Sequence, residues 1–252
     1  MTANPRAVGL PGAVTACLFD LDGVLTRTAT LHAAAWKATF DDYLRGRARE
    51  TGEPFVPFDV DVDYGNHVDG KPREAGVRDF LASRGIVLPE GPADDGSRTA
   101  TVRGLAGRKN RIMLDLIRSR GVDVYPGSVE FVRAVRSAGL RTAVVSSSAN
   151  AGEILRVAGI EPLFELRVDG LVAAARHLGG KPAPDTFLAA VEALGSAPAQ
   201  GAVFEDALAG VQAARAGGFA CVVGVDHARH AQALLANGAT MVVRDLAELL
   251  PR

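Results

Sequence analysis

The 252-residue sequence predicts an α/β fold: a doubly wound, Rossmann-like parallel sheet with an α-helical domain inserted into it. Three observations predict it. Short apolar runs bounded by Gly or turn residues alternate with stretches rich in Ala and Leu. Strands separated by helices are joined by right-handed crossovers, which makes the sheet parallel and covers both of its faces. One long region, from about His32 to Arg118, carries helix-like patterns and little strand signal.

The strands expected in chain order are Val14–Phe19, Arg141–Val145, Gly201–Phe204, Phe219–Val225 and Thr240–Val243, the last four rich in β-branched residues. The clearest helices between them are Ser128–Ala138, Ala151–Val157, Asp185–Leu194 and Leu208–Ala216. The inserted region opens with LHAAAWKATFDDYL and closes with GRKNRIMLDLI, both helix-like. The expected division is therefore 1–30 and 119–252 for the sheet domain and 31–118 for the helical domain. The segments Thr51–Asp63 and Pro89–Ala100 are rich in Gly, Pro and Asp and read as exposed loops.

Composition narrows the function classes. Hydrophobic residues make up 48% and charged residues 23%, as in an ordinary globular chain. A net charge of -1 gives no sign of a nucleic-acid partner. No apolar stretch is long enough to span a membrane, and the N-terminus lacks a secretory pattern. Cys17 and Cys221 each sit in an apolar run and read as core thiols, with no disulfide framework. A cytoplasmic monomer is expected.

The chemistry concentrates at strand ends, where open α/β sheets gather their ligands. Asp20 and Asp22 end the first strand, in FDLDGVLT, and Gly23 lets the chain turn away. Two carboxylates at this spacing suit a nucleophile, a general acid and a cation that relieves their repulsion. The second strand ends in Ser146, Ser147 and Ser148, followed by Asn150, which can donate to phosphate oxygens or simply cap the next helix. Lys181 precedes a helix start in KPAPD, with Asp185 near the positive helix end. Glu205 and Asp206 end a third strand with hard oxygen donors suited to Mg2+. Two other patterns are set aside. Asp59, Asp61 and Asp63 resemble the start of a calcium loop, but Tyr64 and Gly70 occupy the positions that need Gly and Glu, which leaves a solvated acidic loop. His227 and His230 lie near Asp226 without a third ligand and read as exposed histidines.

In order, DLDGVLT, VVSSS, GKPAPD and FEDALAG resemble the four motifs of the haloacid dehalogenase superfamily, over nearly the whole chain from about Val14. The resemblance implies that Asp20 attacks phosphorus and becomes a phosphoaspartate, and that Asp22 protonates the leaving oxygen. It implies that Asp20, the backbone carbonyl of Asp22, and Asp206 hold Mg2+ with Glu205 close by. Ser146 and Lys181 then hold the transferring phosphoryl group.

The inserted region resembles the helical cap of the β-phosphoglucomutase-like family, which closes over the active site. The matching residues are Thr28-Ala29-Thr30-Leu31-His32 with Trp36, Gly70-Lys71-Pro72-Arg73, Arg108-Lys109-Asn110 and Val124-Tyr125-Pro126-Gly127. In that family the first stretch couples closure to acid/base work, and the arginine binds a distal phosphate. The residues alone keep second readings: packing for Trp36, a satisfied buried histidine for His32, and solvated charges for Arg73 and Lys109. Arg27, Asp69 and Ala149 depart from the family pattern, as do the long loops of the insertion. The resemblance implies a phosphorylated sugar substrate and interconversion of β-glucose 1-phosphate and glucose 6-phosphate through a bound bisphosphate. The alternatives are a sugar-phosphate phosphatase using the same residues and a catalytically silent binding protein.

Overall fold

The computed structural model describes residues 3–92, 94–227 and 229–251. Met1 and Thr2 of the N-terminal reading, and Ala93 within the expected loop Pro89–Ala100, lie outside the described residues. The chain forms two compact units: residues 1–27 with 122–252, and residues 28–121.

In chain order the elements are β1 (Ala16–Phe19), α1 (Ala29–Thr51), α2 (Arg73–Ser83), α3 (Val102–Arg120), α4 (Pro126–Ser137), β2 (Arg141–Val145) and α5 (Ala151–Val157). They continue with β3 (Leu166–Val168), α6 (Gly170–Ala175), α7 (Asp185–Ala193), β4 (Gly201–Glu205), α8 (Leu208–Ala216), β5 (Cys221–Val225), α9 (Ala231–Asn237) and β6 (Met241–Val243). A π-helical turn, Tyr64–Val68, precedes α2. No helix among the described residues is long and apolar enough to cross a membrane.

The first unit is a six-stranded parallel sheet in the order β3-β2-β1-β4-β5-β6, with helices between successive strands. Its central strands are buried along their whole length, as apolar runs covered on both faces must be. Leu18, Val145, Val203, Phe187, Val211 and Leu234 belong to one core cluster. The register brings the strand ends level with one another. Phe19 pairs with Val144 on one side and Phe204 on the other, and the rings of Phe19 and Phe204 stack at 4.5 Å. The next residues, Asp20, Val145 and Glu205, therefore stand side by side at the carboxyl end of the sheet. Cys17 and Cys221 are both buried free thiols on strands separated by β4.

The second unit is helical. α1 packs on α3, and α2 closes a core of Phe40, Phe58, Phe80, Val77 and Leu105. The segment Thr51–Asp63 departs from the expected exposed loop. Phe58 is fully buried against Phe40 and Phe80, its backbone N–H donates to the Asp41 carboxylate, and Asp63 pairs with Arg84. Asp59 and Asp63 accept backbone N–H groups of the same loop, so their oxygens serve turn formation. Only part of this acidic loop is solvated.

Candidate active site

Asp20 stands just beyond β1, buried, with its backbone N–H donating to Phe204 O. Lys181 reaches the same level of the sheet from the loop before α7. Its ammonium donates to Asp20 Oδ1 at 2.5 Å, Glu205 Oε1 at 2.6 Å and Val145 O at 3.1 Å. One buried cation thus uses all three of its N–H bonds across three adjacent strands. Burial works against the Lys181 charge, but Asp20 and Glu205 outweigh it and hold its pKa above the ordinary lysine value. For Asp20, burial pushes the pKa up and outweighs Lys181, with Glu205 and Asp22 pushing the same way.

The carboxylates of Asp20, Glu205 and Asp206 each offer an oxygen within 4.8 Å of the others. Their combined negative charge exceeds what one ammonium offsets, and hard oxygens are the donors that Mg2+ prefers. The residues present fit a divalent cation. Both oxygens of Glu205 are engaged, since the second accepts the Ala207 N–H. Two glycines make room for these side chains. A Cβ on Gly23, which has φ +92°, would lie 1.8 Å from Asp206 Oδ2. A Cβ on Gly210 would lie 1.7 Å from Glu205 Oε1. Asp22 is half-buried and its side chain is outside the three-carboxylate set. The turn that carries it is held by Thr26, which donates to Leu21 O, and by Ser128, which donates to Val24 O.

Ser146 is buried at the end of β2, and its Oγ accepts the Ser148 N–H at 3.0 Å. A hydroxyl that accepts from its own loop still has its proton to donate. Ser148 Oγ similarly accepts the Asn150 N–H. Asn150 occupies the N-cap position of α5, but its side chain makes no capping bond. Asp185, expected only as a helix-start charge, accepts the Gly179 N–H and so ties the loop that carries Lys181.

Within the helical unit, Lys109 is 2% exposed, with Nζ 2.9 Å from His32 Nδ1 and 5.1 Å from the centre of the Trp36 ring. Trp36 itself lies in the helical core, stacked on Phe40 at 5.1 Å. Thr28 is buried at the start of α1 and accepts the His32 N–H on its carbonyl. Gly70, at φ +66°, and Arg73 flank the turn into α2. Arg73 is half-buried, and burial holds its pKa below the ordinary arginine value. Among the described residues its guanidinium has no hydrogen bond or salt bridge, only the attraction of neighbouring Glu74.

Two histidines that read as merely exposed are engaged. His230 is half-buried, and its Nε2 donates to Asp206 O at 3.1 Å. His227 is exposed, as expected, but its ring stacks on Tyr125 at 4.1 Å, and Arg27 lies over the same tyrosine ring. The signal in the sequence is the Asp226-to-His230 spacing beside a strand end. Its target, a backbone carbonyl on another strand, leaves no trace there.

Known proteins resemble this chain in sequence and in fold. The model of the haloacid dehalogenase-like hydrolase family matches residues 14–218. A β-phosphoglucomutase of Mycobacterium bovis is 55% identical over 248 residues, which cover 97% of this chain and 95% of that protein. A β-phosphoglucomutase of Bacillus subtilis is 34% identical, over 93% of this chain and 91% of that one. A solved β-phosphoglucomutase structure from Clostridium difficile superposes with a TM-score of 0.69 at 26% identity, covering 94% of this chain and 93% of that one. With a sheet of the matching topology and all four motif segments at its carboxyl ends, the chain belongs to the haloacid dehalogenase superfamily, in its β-phosphoglucomutase-like family.

Proposed function

We propose that the chain is a Mg2+-dependent β-phosphoglucomutase that interconverts β-D-glucose 1-phosphate and glucose 6-phosphate. The observation that carries the reading is the Asp20–Lys181–Glu205 row with Asp206 beside it, at the end of β1. Phosphoryl transfer needs positioning and charge neutralisation more than covalent machinery, and this row supplies both. Asp20, the backbone carbonyl of Asp22, and Asp206 would hold Mg2+, with Glu205 adjacent. The metal would neutralise charge on the phosphoryl oxygens.

An Asp20 oxygen forms the bond to phosphorus as the ester P–O bond breaks. Asp22 gives its proton to the departing sugar oxygen, and it takes one back when the free hydroxyl of a sugar monophosphate attacks the phosphoaspartate and forms the bisphosphate. The Lys181 charge, fixed beside Asp20, would offset charge on the transferring group, and the Ser146 hydroxyl would hold it. A bisphosphate intermediate must turn round between the two half-reactions, so its other phosphate needs its own ligand. Arg73 supports this part: a half-buried guanidinium with no salt bridge among the described residues matches a phosphate bidentately. Likeness to curated β-phosphoglucomutases at 55% and 34% identity supports the sugar assignment.

The test is a coupled assay of glucose 6-phosphate formation from β-glucose 1-phosphate, with Mg2+ and a trace of glucose 1,6-bisphosphate. Free phosphate is measured in the same tube. Fast isomer formation with little phosphate is expected, lost on EDTA treatment and restored by Mg2+. Asp20→Asn should remove it by several orders of magnitude. Phosphate release without isomer would replace the mutase with a sugar-phosphate phosphatase.

A further inference from the structure

The loop after β5 touches both backbone segments from which the carboxylates of the site project. A carbonyl oxygen only accepts, so the contact from His230 to Asp206 O requires the proton on Nε2. The other side of the ring faces Asp226, whose Oδ1 lies 3.7 Å from Nδ1. Asp226 also accepts the backbone N–H groups of His230 and Ala231, at 2.9 and 3.1 Å, which fixes the start of α9 on the end of β5.

The receiving group is a single peptide unit held at both ends. Its carbonyl, on Asp206, takes the His230 proton, while its N–H, on Ala207, donates to Glu205 Oε2. That peptide sets the direction in which the Asp206 side chain leaves β4. The same loop reaches toward the other wall, because His227 interacts with the backbone of Gly23, over which the Asp206 carboxylate lies.

We propose that His230, oriented by Asp226, is a positioning residue for Asp206, and that it sets the affinity of the carboxylate site for a divalent cation. The inference rests on reading Asp20, Glu205 and Asp206 as a Mg2+ site. Mutating a group that orients a metal ligand typically weakens metal affinity by about 10- to 100-fold.

The experiment is calorimetric titration of Mg2+ into the full chain and into His230→Ala and His230→Gln, with the urea unfolding midpoint of each measured without metal. Glutamine keeps an amide donor near the place of Nε2. His230→Ala should bind Mg2+ about tenfold more weakly or worse, and His230→Gln should recover most of that loss. A role confined to structure would lower the unfolding midpoint and leave Mg2+ affinity unchanged. Equal affinity in His230→Ala and the parent chain would overturn the inference while leaving the metal reading intact. So would a glutamine variant as weak as the alanine one. No Mg2+ binding by the unaltered chain would overturn the metal reading and this inference with it.

Discussion

Gly210 lies inside α8, where alanine ordinarily stabilises a helix by about 1 kcal/mol over glycine. Here the order should reverse. The added methyl would fall 1.7 Å from the Glu205 oxygen that takes the Lys181 proton, so either the helix or the carboxylate must move. Gly210→Ala is expected to lose most activity and to unfold at lower urea. Gly46 in α1, where an added Cβ meets nothing within 4 Å, is the control: Gly46→Ala should raise stability by about 1 kcal/mol. Lys181 makes a second residue-scale case. It is 3% exposed between two carboxylates, and Lys181→Met would leave both buried without their cation. Breaking a buried ionic group in this way costs about 3–5 kcal/mol, so the variant should lose stability as well as catalysis. Equal urea midpoints for Lys181→Met and the parent chain would show that the row does not hold the fold.

At the scale of elements, the segment between α1 and the π-helical turn shows what composition hides. Its Gly, Pro and Asp residues read as a surface loop, yet Phe58 is fully buried among Phe40 and Phe80. Phe58→Ala should cost about 3–5 kcal/mol, as for other large core aromatics, measured by urea unfolding; an exposed loop would lose far less. The burial is invisible in sequence because the partners are distant along the chain: Asp41 receives the Phe58 N–H and Arg84 meets Asp63. Strand β3 escapes a sequence reading for another reason. Leu166–Val168 is three residues long at the sheet edge and only partly buried, so it carries no continuous apolar run. The central strands are legible because burial on both faces demands apolar residues throughout. The carboxylates and hydroxyls at their ends are legible because a polar group closing such a run is conspicuous. The roles of His230 and Gly210 are not, because each acts through one contact with a residue that other signals already mark.

On the scale of the whole molecule, the chain divides into a sheet unit that holds Asp20 and a helical unit that holds Arg73. The two proposed outcomes, isomerisation and hydrolysis, make different demands on that division. Hydrolysis needs the Asp20 row and a water. Isomerisation also needs a bisphosphate kept while its ends exchange, and this work falls on a cation other than Lys181, which is already committed to Asp20, Glu205 and Val145. Removing one partner of a desolvated charge pair costs about 2–5 kcal/mol, which is roughly a thirtyfold to several-thousandfold loss. Arg73→Ala should therefore lower glucose 6-phosphate formation by about a hundredfold or more. Phosphate release from a generic aryl phosphate, which has no second phosphate to hold, should change little. Arg73→Lys should restore part of the mutase rate, since it keeps the charge and loses the bidentate fork. The ratio of the two activities in one preparation is the decisive quantity, because misfolding would depress both together. A parallel fall would place Arg73 in the support of the helical unit, and a selective fall in isomerisation would make it the ligand that separates a mutase from a phosphatase.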